Sequence, residues 1–203
     1  MPGNAPAVLP TQRPILKEPT MLDATEPLAA TTTPLHTPRS PYPALAAYIE
    51  NASLGERAAL ARMSPDQSLR PHAMAALSRA LLSAHVEIEH LTLSAWQRWA
   101  LIAHGMALAG HDGKGRLGEQ LARAEVAESR VNKLLTARAD AFTQLLPRVL
   151  RLLVSKGVRP NWLELGPLVL QENSSNSASI TRAEHIRLGI AGAYFAQQSR
   201  DKK

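Results

Sequence analysis

Three observations predict an all-α fold. Alanine and leucine supply most of the apolar mass while aromatic residues make up only 4% of the chain, a balance that suits helices better than sheet. Apolar residues recur at three- and four-residue spacing from Tyr42 to Tyr194, the period of one helix face. No stretch of alternating polarity and no internal repeat competes with that pattern. The expectation is a compact helical bundle of about seven to nine helices, preceded by a disordered Pro/Thr-rich arm.

The 203 residues leave room for one domain of about 150 residues plus a tail. Ten of the fifteen prolines fall within residues 1–43, in stretches such as LAATTTPLHTPRSPYP. Each removes a backbone donor and turns its predecessor away from helix, so residues 1–41 are expected to be a disordered or extended arm. Residues 42–199 form the predicted domain and 200–203 a flexible tail.

The helices follow in order. YPALAAYIEN puts Leu45, Tyr48 and Ile49 on one face, and LGERAALARM does the same with Leu60 and Met63, leaving Arg57 and Arg62 elsewhere. A third apolar segment runs from about Arg70 through PHAMAALSRALLSAH. LSAWQRWALIAHGMALAG opens with Ser94 and Gln97 in capping-box spacing, stops at Gly110, and aligns Trp99, Ile102, Ala103 and Met106 as a buried central helix. RLGEQLARAE stacks Leu117 and Leu121, with Glu119 and Arg123 paired at i, i+4. SRVNKLLTAR buries Val131, Leu134 and Leu135. FTQLLPRVLRLLVSKG is expected to kink or restart at Pro147 and to end at Gly157. NWLELGPLVLQ is anchored by Trp162 and Leu165. After the polar ENSSNSAS, a last helix is capped by Thr181 and Glu184 and turns Ile186, Ile190 and Tyr194 inward.

Composition and motif spacing exclude several kinds of chemistry. The chain has no cysteine, so a disulfide framework, a zinc ribbon and a cysteine nucleophile are impossible, in keeping with a reducing cytoplasm. No apolar run reaches the length of a membrane span, and MPGNAPAVLPTQRP lacks the pattern of a secretory signal. AGHDGKGRLGEQLARAE, residues 109–125, has the look of a phosphate-binding loop, but Lys114 is followed by Gly115 instead of a hydroxyl residue, and a helix rather than a strand leads in. His85 and His90 stand five apart, about 140° around a helix, which is not a metal-ligating spacing. The acids lie at helix starts or beside basic residues. No nucleophile, base and oxyanion donor assemble, so neither catalysis, a metal nor a cofactor is expected.

Charge is the remaining signal. The chain carries +6, yet residues 1–40 balance three basic side chains with three acidic ones, whereas residues 110–160 hold ten basic against five acidic. Lys114, Arg116, Arg123, Arg130, Lys133, Arg148 and Arg151 fall outside the apolar rows of their helices, and Arg62 is placed with them. Arg130 with Lys133 and Arg148 with Arg151 are three apart, so each pair projects to one side and can straddle successive phosphates. Such contacts would be largely independent of base sequence and steeply salt-dependent. A charge run can equally serve only to solvate a face.

The order of motifs resembles a known family. Leu117-Gly118 with Leu121-Ala122, Glu128 with Arg130 and Leu134-Leu135, Arg151-Leu152-Leu153, and Trp162-Leu163 are similar in order and spacing to CasB, the small subunit of the type I-E CRISPR Cascade surveillance complex. The departures are the proline-rich arm, Asn161 where many members carry an acid, and a last helix that keeps Arg187, Tyr194 and Phe195 among glycines and alanines. The resemblance implies a non-catalytic subunit that assembles with a second copy of itself and with the backbone and large subunits of Cascade. Its basic surface would hold target DNA strands, with the guide RNA contacted indirectly and no membrane involved. Two other classes of function fit the sequence: a helical transcriptional regulator reading duplex DNA through the helix at 128–138, and a secreted or injected effector suggested by the arm.

Overall fold

In the computed structural model, residues 40–63 and 70–202 are described. The predicted arm therefore lies, apart from its last two residues, outside the described part of the chain. Among the described residues there are nine α-helices and no strand: α1 (Pro41–Asn51), α2 (Leu54–Ala61), α3 (Pro71–Ser83), α4 (Leu93–Ala109), α5 (Leu117–Arg123), α6 (Glu128–Thr136), α7 (Ala139–Ser155), α8 (Trp162–Gln171) and α9 (Ser177–Asp201). The all-α expectation holds.

Helix α4 is the axis of the bundle. Every residue from Trp99 to Met106 is buried, because α1, α2, α3, α7 and α8 all pack on it. A helix apolar all round has no solvated face and must be surrounded. Its alanines and Gly105 keep it thin enough for neighbours to approach. The Trp162 ring and Leu150 lie where a Cβ on Gly105 would stand, so α7 and α8 close on α4 at that glycine.

Helix α5 meets α9 in the same way. A Cβ on Gly118 would overlap the backbone of α9 at Ile190 and Tyr194. Tyr194, wholly buried, donates from its hydroxyl to the Val126 carbonyl at 2.6 Å. Farther along α9, Arg187 is 5% exposed and is bonded to Glu172 at the end of α8 and to Glu184 at 2.8 Å. Glu172 also accepts from the Ala139 amide, at 3.0 Å. One buried carboxylate thus joins the start of α7, the end of α8 and the middle of α9.

The caps of two helices are corrected, and the helix at Pro147 does not restart: α7 runs from Ala139 to Ser155 with Pro147 inside it. Pro147 itself and the flanking Leu146, Val149, Leu150 and Leu153 are buried, and this packing outweighs the missing backbone bond. Thr92, not Ser94, caps α4, accepting from the Ala95 amide at 3.3 Å. Asn176 caps α9, accepting from Ala178 at 2.9 Å, so α9 starts four residues before the predicted cap at Thr181, and Glu184 is committed to arginines instead. Helix α9 also continues to Asp201, past the predicted domain end at 199.

Two substitutions test this architecture. Gly118→Ala is expected to destabilise the fold by roughly 1–3 kcal/mol, because the new methyl meets backbone that cannot rotate away; a lowered midpoint in urea is the readout. Arg187→Ala leaves Glu172 buried without its counter-charge and is expected to lower stability by roughly 3–5 kcal/mol, measured in the same titration.

Candidate nucleic-acid interface

The glycine-rich turn between α4 and α5 is a structural joint. Gly110, with φ of 68°, ends α4, and its carbonyl accepts the Trp162 indole N–H at 2.8 Å. The Trp162 amide donates to Nδ1 of His111 at 3.2 Å, and the Asp112 amide donates to the Pro160 carbonyl at 3.1 Å. The Lys114 amide is taken by the Asp112 side chain at 2.8 Å and the Leu117 amide by Glu164 at 2.9 Å. Asn161 donates to the Gly115 carbonyl at 2.8 Å, and its own amide donates to Gln120 at 2.7 Å. A phosphate cradle needs free amides aimed at one point; here three of them already serve protein oxygens.

All eight predicted contact residues, Arg62, Lys114, Arg116, Arg123, Arg130, Lys133, Arg148 and Arg151, are exposed. They divide by what they touch. Arg116 donates to the Gly189 carbonyl on α9 at 3.0 Å and stands 3.7 Å from Glu164. Arg123 stands 3.6 Å from Glu119, which Arg200 also engages at 3.1 Å. Arg116 thus ties the start of α5 to α8 and α9, while Arg123 is paired within α5 itself. The other six form no ion pair among the described residues.

The unpaired six fall into local groups. Arg148 and Arg151 lie three apart on the solvent side of α7, and Arg130 and Lys133 do so on α6. The His104 ring, 4% exposed, lies 3.3 Å from the Leu60 carbonyl through Nδ1, and Arg62 is the residue after α2. Lys114 stands alone in the turn.

Sequence reasoning gave the Glu119–Arg123 pair, which the structure shows, but it could not give the pairing of Arg116, whose partners Glu164 and Gly189 are 48 and 73 positions away. It also carried Arg187 over as a family feature of the last helix; that charge is buried in the fold. His85 and His90 bracket a non-helical segment, and no group of three or more potential metal ligands occurs among the described residues. No helix among them is long and apolar enough to cross a membrane.

The comparison with known families gives one finding. The family model of CRISPR-associated protein Cse2 matches residues 56–195, a span from the first turn of α2 into the last turns of α9 that contains all eight basic positions. No curated protein and no solved structure gives a significant match.

The two inward-facing histidines give this fold a pH dependence. Burial holds the His104 ring below the ordinary histidine range; the Arg151 charge adds to this, while bonds to α2 carbonyls oppose it. Burial likewise lowers His111, opposed by the Pro160 carbonyl and by Asp112 and Glu50. With folded-state values below the unfolded value of about 6.5, the unfolded chain binds protons first on acidification. Stability is therefore full above that value and falls as pH drops through it. Thermal midpoints are expected to decline between pH 7 and pH 5, and to decline less in His104→Asn. Glu56, Glu119 and Glu125, lowered chiefly by bonds to Arg79, Arg200 and Lys156, contribute only in more acid solution.

Proposed function

This chain belongs to the CRISPR-associated Cse2 family, the small subunit of type I-E Cascade, and from that premise we propose that it is a non-catalytic subunit that grips nucleic-acid backbone through Arg62, Arg148 and Arg151, with Arg130, Lys133 and Lys114 as further contacts. The observation that carries this reading is the division of the cations. Six of the eight predicted positions are exposed and form no ion pair among the described residues, so their charge is available to a polyanion. Arg116 and Arg123 are already occupied and contribute less.

Exchange of a DNA duplex for an RNA–DNA heteroduplex is close to balanced in base-pairing energy, so backbone contacts from protein can decide whether the opened strands persist. Each phosphate neutralised by an arginine releases counterions and steepens the dependence of binding on salt. A few free arginines on a rigid helical scaffold therefore suffice to lengthen the life of an R-loop. In this reading the subunit holds the target DNA strands within Cascade, beside the backbone and large subunits and a second copy of itself, and cleavage belongs to another protein. Neither a metal nor a cofactor is required.

The triple variant R62E/R148E/R151E tests the proposal. Its stability is expected to remain within about 0.5 kcal/mol of the parent, since the three arginines are exposed and form no ion pair among the described residues. Retention of target DNA by the assembled complex should fall, and the slope of log affinity against log salt should flatten by about 0.9 for each phosphate contact removed. R116E/R123E is expected to affect retention less and stability more. An R-loop lifetime unchanged in the triple variant would exclude this surface.

A further inference from the structure

Helix α9 carries a surface that the basic-face reading does not use. From His185 to Ser199 it contains no lysine, aspartate or glutamate, and its one arginine, Arg187, is buried against Glu172. In a chain of net charge +6, this stretch shows solvent no lysine, arginine or carboxylate of its own. It shows apolar side chains instead: Leu188 is 71% exposed and Phe195 39%. Gly192 lies four residues after the first and three before the second, so the three share a face. A Cβ on Gly192 would meet nothing within 4 Å. The helix thus has a notch between two apolar knobs, and the exposed Ala196 extends it.

The surroundings argue for a protein occupant. Arg116 is held by Gly189 and Glu164 and Arg200 by Glu119, while Lys202, two turns beyond Phe195, forms no ion pair among the described residues. A phosphate backbone would find no lysine or arginine on the Leu188–Gly192–Phe195 face itself, whereas an uncharged protein surface would leave none of its own charges desolvated there. The size of the face decides between a free-standing dimer and a contact within an assembly. A helix stretch about 22 Å long and roughly 10 Å wide presents a footprint of about 220 Å², far below the roughly 800 Å² per partner of a stable isolated complex. Such a face works only where other contacts share the load.

We propose that the Leu188–Gly192–Phe195 face of α9 seats a neighbouring protein subunit of Cascade, which presents an uncharged surface and places a large apolar side chain in the notch at Gly192. This rests on the reading of the chain as a Cascade subunit but not on the basic surface. Protein and nucleic acid then meet different faces of the bundle: the neighbour on α9, the phosphates on the free arginines.

The test uses the full-length chain assembled with its cognate Cascade subunits. L188Q/G192Q is expected to keep its thermal midpoint, because neither new side chain displaces a neighbour, and to fall at least tenfold in the amount retained in the purified complex. R62E/R148E/R151E should keep full stoichiometry and lose DNA retention, so failure of one reading is distinguishable from failure of the other. A photo-crosslinking residue, p-benzoylphenylalanine, placed at Ala196 should label another Cascade protein on irradiation. That label is read with Leu188 and Gly192 intact, so it decides the question even if the glutamine variant misfolds. Full stoichiometry of a folded L188Q/G192Q would overturn the proposal. So would a crosslink to nucleic acid, to a second copy of this chain, or to nothing.

Discussion

The fold depends on the seating of Trp162. This side chain, with no exposed surface, lies against Gly105 of α4, and its two N–H groups bind the end of that helix and the turn beyond it, at Gly110 and His111. A buried indole contributes a large apolar area but needs a partner for its one donor. Here the partner is the carbonyl of the glycine that stops α4. The turn is therefore tied to the start of α8, and Asn161, one position earlier, holds Gly115 and caps α8 through the Leu163 amide. Remove the tryptophan and α4, the turn and α8 lose their common fixed point.

That constraint explains why the glycine-rich turn, so suggestive as a string of letters, offers no cradle of free amides for a nucleotide. Its amides and carbonyls are enlisted by Asn161, Trp162, Glu164 and Gln120. An acid at position 161 could accept from the Leu163 amide but could not donate to Gly115; asparagine does both. The family departure at this position is thereby explained by the local hydrogen bonds.

The charges are sorted by the same packing. Where helices meet at glycine, as α5 meets α9 at Gly118, there is no room for long side chains between them. Arginines at the rim, Arg116 and Arg200, reach over the junction to the Gly189 carbonyl and the Glu119 carboxylate. On α6 and α7 the apolar rows are continuous, and Arg130, Lys133, Arg148 and Arg151 opposite them project into water with no ion pair among the described residues. Arg187 is the extreme case: a charge kept in the core because Glu172 and Glu184 surround it. A net charge of +6 thus resolves into structural arginines, free arginines and one face of α9 with no fixed charge.

By itself the sequence determined the helical class, the order of the helices and the inward rows, because those follow from local periodicity and from residues a few positions apart. It also marked which basic residues would be exposed, since a side chain opposite an apolar row has nowhere else to go. It misplaced the caps of α4 and α9, which fall at Thr92 and Asn176, where a competing hydrogen bond overruled local preference. The local pair of Glu119 with Arg123 was legible at four-residue spacing, but only the tertiary structure decided that Arg116 is engaged, because its partners lie on helices far along the chain. Only the tertiary structure, likewise, could bury Arg187 and leave Leu188 and Phe195 in water, since adjacent positions on one helix are told apart by what packs against each.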